Sequence, residues 1–138
     1  MITAYLTFNG NTEVAFNFYK SALDGEFTNF QRFSDTPHGE QMSVNDKKKI
    51  MHVTLEATHG FKLMGNDYLD FMGQPFTAGN NFSLSLQPDS EELADKLFNN
   101  LSAGGTVTMP LGKVFWGAYF GMFVDKFGIQ WIVNHQYK

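Results

Sequence analysis

The chain has 138 residues, a formal net charge of −4, no cysteine, and an aromatic content of 16% carried by 15 Phe, 5 Tyr and 2 Trp. The length fits one domain, residues 1–138, with a core of its own. The lack of cysteine excludes a disulfide framework, a thiolate nucleophile and Cys-bound metal, and fits a reducing, cytoplasmic setting. Positive charge is scattered apart from Lys47-Lys48-Lys49, so the basic face of a nucleic-acid binder is missing, and no apolar run is long enough to span a bilayer.

Ile2, Ala4, Leu6 and Phe8 alternate with Thr3, Tyr5 and Thr7, a period of two that predicts a strand. Asn9-Gly10-Asn11 breaks it, and Asn11 or Thr12 is placed to cap a helix carrying Val14, Ala15, Phe18, Ala22 and Leu23, with Asp24-Gly25 as its stop. Phe27, Phe30 and Phe33 mark a less regular second strand. Residues 35–49 read as polar loop containing a solvated His38, with the lysine run as a hairpin tip. Strands follow at 50–57 and 61–65, separated by a His59-Gly60 turn. Residues 66–80 form a Gly- and Pro-punctuated loop holding Phe71, Met72 and Phe76, apolar residues that suit a lid or a docking patch.

The order then recurs. Phe82, Leu84 and Leu86 alternate with Ser83, Ser85 and Gln87. Asp89, three residues before Glu92, resembles a capping box, and Leu93, Ala94, Leu97, Phe98 and Leu101 form an apolar helical stripe that Gly104-Gly105 ends. Three strands follow: 106–109, a loop at 110–113, then 116–124, a turn at Asp125–Gly128, and 129–135. Strand, helix and three strands therefore occur twice, in modules at about 1–68 and 81–138 joined by the 66–80 linker. The expected fold is α+β: two βαβββ modules making a curved eight-stranded mixed sheet around a pocket, with the helices outside.

The stretch Phe16-Asn17-Phe18-Tyr19 with Leu23-Asp24-Gly25 resembles the first-helix pattern of the vicinal oxygen chelate superfamily, which includes glyoxalase I, bleomycin resistance proteins and extradiol dioxygenases. Phe115-Trp116-Gly117, Tyr119-Phe120-Gly121 and Asp125 to Trp131 resemble its PhnB-like branch, which also carries the label 3-demethylubiquinone methyltransferase-like. Enzymes of the superfamily hold a divalent ion on His or Glu side chains from the first, fourth, fifth and eighth strands. By that resemblance the positions fall near Ala4, within Phe61 to Met64, at Asn81 or Ser83, and at Ile132. None supplies an imidazole or carboxylate, so no metal and no cofactor is expected. Asp67 is expected beyond the fourth strand, and His38, His52, His59 and His135 lack the spacing of a metal pair.

The candidate pocket residues are Tyr5, Thr7, His52, Met64, Ser83, Ser85, Phe115, Trp116, Tyr119, Gln130 and Ile132. An aromatic pair beside a glycine admits a flat ligand, Tyr119 offers a hydroxyl, and Gln130, Ile132 and Asn134 oppose Trp131 and Val133 to make an uncharged wall. Asp125 is expected to serve its turn rather than chemistry. The reading is a protein binding a small neutral or aromatic molecule without a metal, and the resemblance implies a homodimer. Two alternatives are a metal-dependent lyase or dioxygenase, and a dimeric interaction module without a ligand. Methyl transfer is disfavoured, because no Gly-rich loop for a methyl donor is present.

Overall fold

Leu6 and Phe8 are buried while Tyr5 and Thr7 between them are exposed, and this two-residue alternation decides which side of the first strand receives a helix. A computed structural model describes the backbone of residues 1–138 and every side chain except that of His38, so the solvated placement expected of His38 lies outside what is described. The chain divides into two compact units, Met1–Thr77 and Ala78–Lys138.

In the N-terminal unit, β1 (Ala4–Phe8), α1 (Thr12–Leu23), β2 (Gly25–Arg32), α2 (Val44–Lys47), β3 (Ile50–Ala57) and β4 (Lys62–Asp67) follow in order. The sheet order is β1-β4-β3-β2, with β1 parallel to β4 and the other pairs antiparallel. Phe16 and Tyr19 of α1 are fully buried, together with Val53 and Leu55 of β3; each such side chain contributes roughly 1.5–3 kcal/mol. Gly65 of β4 lies under Phe16, and a Cβ there would stand 2.6 Å from the Leu6 carbonyl oxygen and 2.7 Å from the Phe16 ring.

In the C-terminal unit, β5 (Leu84–Leu86), α3 (Glu91–Ser102), β6 (Thr106–Val114), β7 (Ala118–Val124) and β8 (Gln130–Gln136) repeat the order. The sheet order is β5-β8-β7-β6, again with one parallel pair, β5 with β8. Leu97, Phe98 and Leu101 of α3 cover Phe123, Trp131 and Val133, all buried. Trp131 stacks on Phe123 with 12° between the ring planes.

The α+β class and the doubled strand-helix-strand order hold, but the strands form two four-stranded sheets rather than one sheet of eight. Several local expectations are corrected. Asp24, at φ 55°, takes the left-handed position that ends α1, which leaves Gly25 to begin β2, where a Cβ would meet the Glu56 carbonyl oxygen at 2.9 Å. The lysine run is not a hairpin tip: Ser43 accepts from the Asp46 N–H and starts α2, so Lys47 closes a helical turn. Ser90 rather than Asp89 caps α3, its hydroxyl oxygen accepting from the Leu93 N–H at 3.1 Å. Residues 110–113 are strand, not loop. Pro110 is tolerated because β6 is an edge strand whose register shifts between Met109 and Gly112.

Candidate functional site

With α1 covering Leu6, Phe8, Val53, Leu55, Leu63 and Gly65, strand alternation puts Tyr5 and Thr7 of β1, His52 and Thr54 of β3, and Met64 and Asn66 of β4 on the other face of the N-terminal sheet. Tyr5 stands opposite Met64, and Met64 opposite Thr54. The side chains on this face are tied to one another. The Tyr5 hydroxyl lies 3.2 Å from His52 Nδ1, and His52 Nε2 lies 2.9 Å from Thr54 Oγ1. The Tyr5 and His52 rings tilt against each other at 5.6 Å between centroids. Beside them the Thr7 hydroxyl donates to Asn66 Oδ1 at 2.8 Å.

Two directions satisfy this chain: the phenol to Nδ1 with Nε2–H to Thr54 Oγ1, or the Thr54 hydroxyl to Nε2 with Nδ1–H to the phenol oxygen. Burial pushes the Tyr5 phenol above its ordinary value, so it stays protonated at neutral pH and can donate to Nδ1. In that direction the neutral imidazole carries its proton on Nε2 and donates to Thr54 Oγ1. Tyr5 remains 47% exposed. The arrangement is therefore a fixed imidazole with an accessible phenol at one end, a buried hydroxyl at the other, and the soft Met64 side chain in the middle. It can hold a flat or weakly polar molecule, and it carries no formal charge with His52 neutral. Thr54 and Asn66 were not singled out in the sequence; the polar alternation of β3 and β4 was the available signal.

Of the eleven candidate residues, the structure brings Tyr5, Thr7, His52 and Met64 together on this face. The remaining seven belong to the C-terminal unit. Ser85 and Ile132 are direct neighbours on the helix-free face of its sheet, and Met122 stands on the other side of Ile132. Ser83 precedes β5. Gln130 is occupied structurally: its Nε2 donates to the Asn80 carbonyl at 3.0 Å and also to that of Phe82. Phe115 is almost wholly exposed, and Trp116 packs against Phe120 at 5.3 Å in the turn before β7. Tyr119 turns to the helix side, where its hydroxyl donates to Asp95 of α3 at 2.6 Å. That hydrogen bond to a carboxylate, with burial second, raises its pKa to about 12.

The residues at the superfamily's metal positions do not fit an ion. Ala4, Leu63, Met64, Ser83 and Ile132 offer no imidazole or carboxylate, and no group of three or more His, Asp or Glu side chains suited to a metal exists among the described residues. One expectation is corrected: β4 extends to Asp67, so the fourth strand does end in a carboxylate. That carboxylate is buried and engaged, accepting from the Thr12 N–H at 3.0 Å and the Ile50 N–H at 2.8 Å. It does the capping expected of Asn11, whose side chain makes no cap bond. Asp125 is likewise a turn residue, its Oδ1 accepting from the Phe127 and Ile129 N–H groups.

Two βαβββ modules with one parallel strand pair in each sheet make the fold of glyoxalase and bleomycin-resistance proteins. Within it the chain is PhnB-like, and it belongs to the family described as 3-demethylubiquinone-9 3-methyltransferase, whose model matches residues 1–134. It is 41% identical to protein PA1353 of Pseudomonas aeruginosa, whose solved structure superposes with a TM-score of 0.84 over 99% of this chain and 97% of that one. The PhnB protein of Bacillus cereus is 28% identical, with a TM-score of 0.75 over 97% and 98% of the two chains. Protein YjdN of Escherichia coli strain K12 is 29% identical over 96% of this chain and 93% of its own length. No helix among the described residues is long and apolar enough to cross a membrane.

Proposed function

We propose that this PhnB-like protein binds a small neutral or aromatic molecule on the helix-free face of its N-terminal sheet, without a metal ion. The observation that carries this reading is the hydrogen bond between the Tyr5 hydroxyl and His52 Nδ1 at 3.2 Å. It fixes an imidazole edge and an accessible phenol beside Met64, a surface matched to a ring bearing one or two polar groups, with the Glu56–Lys62 pair further along the same face. The lack of donors at the superfamily's ligand positions supports binding over metal-dependent catalysis. The protein works as a homodimer in the cytoplasm on this reading, in keeping with its fold class and its lack of cysteine.

Native mass spectrometry of freshly purified protein tests the proposal directly. A co-purified small molecule that is retained by the native chain and lost in Tyr5→Phe and His52→Ala variants is the expected result. Stoichiometric, tight binding of Zn²⁺, Ni²⁺ or Fe²⁺ with a raised melting temperature would overturn the metal-free reading. Light scattering reports the dimer.

A further inference from the structure

The link between β1 and α1 is Asn9-Gly10-Asn11, and it is pinned at both ends. Before it, the Phe8 carbonyl accepts from the Tyr68 N–H at 2.7 Å. After it, the Thr12 N–H donates to Asp67 Oδ1 at 3.0 Å and the Thr12 hydroxyl donates to the Asn66 carbonyl at 2.8 Å. The three residues between these anchors are exposed. Gly10 sits at φ 98°, in the region that favours glycine, and a Cβ built on it would find no atom within 4 Å.

This is a setting in which an asparagine loses its amide without an enzyme. The side-chain carbonyl carbon and the main-chain nitrogen of the next residue can close a five-membered ring, an intramolecular attack favoured by proximity. A following glycine leaves that nitrogen with no Cβ in the way and gives the backbone the freedom to bring the two atoms together. Among the asparagines of the chain, Asn9 alone precedes a glycine; Asn11 precedes Thr12 and Asn17 precedes Phe18.

We propose that Asn9 is a site of spontaneous deamidation, separate from the ligand face. The Gly10 main-chain nitrogen attacks Asn9 Cγ, a C–N bond forms, the Cγ–Nδ2 bond breaks, and ammonia leaves with the Gly10 amide proton. Water then opens the succinimide, at Cγ to give aspartate or at the main-chain carbonyl to give isoaspartate. No electrons are exchanged. Either product makes the chain one unit more negative than its native −4. Isoaspartate also routes the main chain through Cγ and lengthens it by one carbon. With Phe8 and Thr12 both anchored, that carbon has to be absorbed within the link, and the hold of Asp67 on the first turn of α1 loosens.

The test ages the full chain at mildly alkaline pH with warming, beside Asn9→Gln, an exposed change whose longer side chain would have to close a six-membered ring. Tandem mass spectrometry of its peptides is expected to find amide loss at Asn9 at least about tenfold ahead of Asn11 and Asn17. An acidic form should grow on anion exchange of the native chain and not of Asn9→Gln. Asn9→Asp is expected to melt with the native chain, and the aged fraction carrying isoaspartate to melt below both. An Asn9 amide that stays intact, earlier loss at another asparagine, an equal acidic form from Asn9→Gln, or an isoaspartate fraction that melts with the native chain would overturn the proposal.

Discussion

The Trp131 indole N–H donates to Asp125 Oδ2 at 2.8 Å inside the C-terminal unit. The other oxygen of the same carboxylate holds the Phe127 and Ile129 N–H groups at 2.8 and 3.0 Å. One buried side chain thus shapes the β7–β8 turn and anchors the largest residue of the core below α3. Removing it in Asp125→Ala strands three donors, and a loss of about 3 kcal/mol or more is expected. Urea unfolding measures it. A double-mutant cycle with Trp131→Phe should return a coupling of about 1 kcal/mol or more, because the two residues share one bond.

Gly65→Ala is expected to destabilise the N-terminal unit by about 1–3 kcal/mol through overpacking. Its new Cβ would meet the Leu6 carbonyl oxygen at 2.6 Å as well as the Phe16 ring at 2.7 Å. Combining it with Phe16→Leu should recover only part of the loss, since backbone cannot retreat as a ring can. Denaturant midpoints of the two variants decide the point.

Alkaline titration should find Tyr119 ionising late, together with Tyr137, which is also raised to about 12. The Tyr119 pKa is raised to about 12 by its hydrogen bond to Asp95, above the ordinary value of about 10 that it regains on unfolding. The folded state therefore keeps a proton that the unfolded state has lost. The stabilisation is complete below pH about 10 and is lost as pH rises toward about 12. Absorbance at the phenolate band should show both tyrosines ionising late in the native protein. Tyr119→Phe should flatten the fall in stability over that interval.

Of the two directions open to the Tyr5–His52–Thr54 chain, the tautomer of His52 is predicted to be the Nε2–H form, with Nδ1 accepting from Tyr5. Ring ¹⁵N shifts report which nitrogen carries the proton. Tyr5→Phe removes the hydroxyl, and a mixture of tautomers should follow, with no loss of fold, because Tyr5 is half exposed.

Ser90→Ala should cost about 1 kcal/mol, the usual worth of a helix cap. The Ser90 hydroxyl holds the Leu93 N–H at the start of α3, and thermal unfolding monitored by circular dichroism reads the change.

The sequence exposed what is periodic and local. The alternation of Ile2 to Phe8 and the stripe from Leu93 to Leu101 led to β1 and α3, and the opposed rows of Gln130, Ile132 and Asn134 against Trp131 and Val133 follow from a period of two. What depends on distant partners was hidden. Asp67 caps α1 from 55 residues away, so its role cannot be seen beside Asn11. Pro110 suggests a break until its strand is known to be an edge with a shifted register. Tyr119 reads as a pocket hydroxyl until α3 brings Asp95 over it, 24 residues off in the chain. In the candidate site, His52 was legible by type, whereas its wiring to Tyr5, 47 residues away, belongs to sheet pairing alone.

Both tryptophans lie in the C-terminal unit, and Trp131 is sealed from solvent while Trp116 is about half open. Indole emission therefore watches only that unit, with one protected fluorophore and one accessible to quenchers such as acrylamide. An unfolding curve followed by emission describes the C-terminal unit alone, and a separate transition seen by circular dichroism but silent in emission would belong to the N-terminal one.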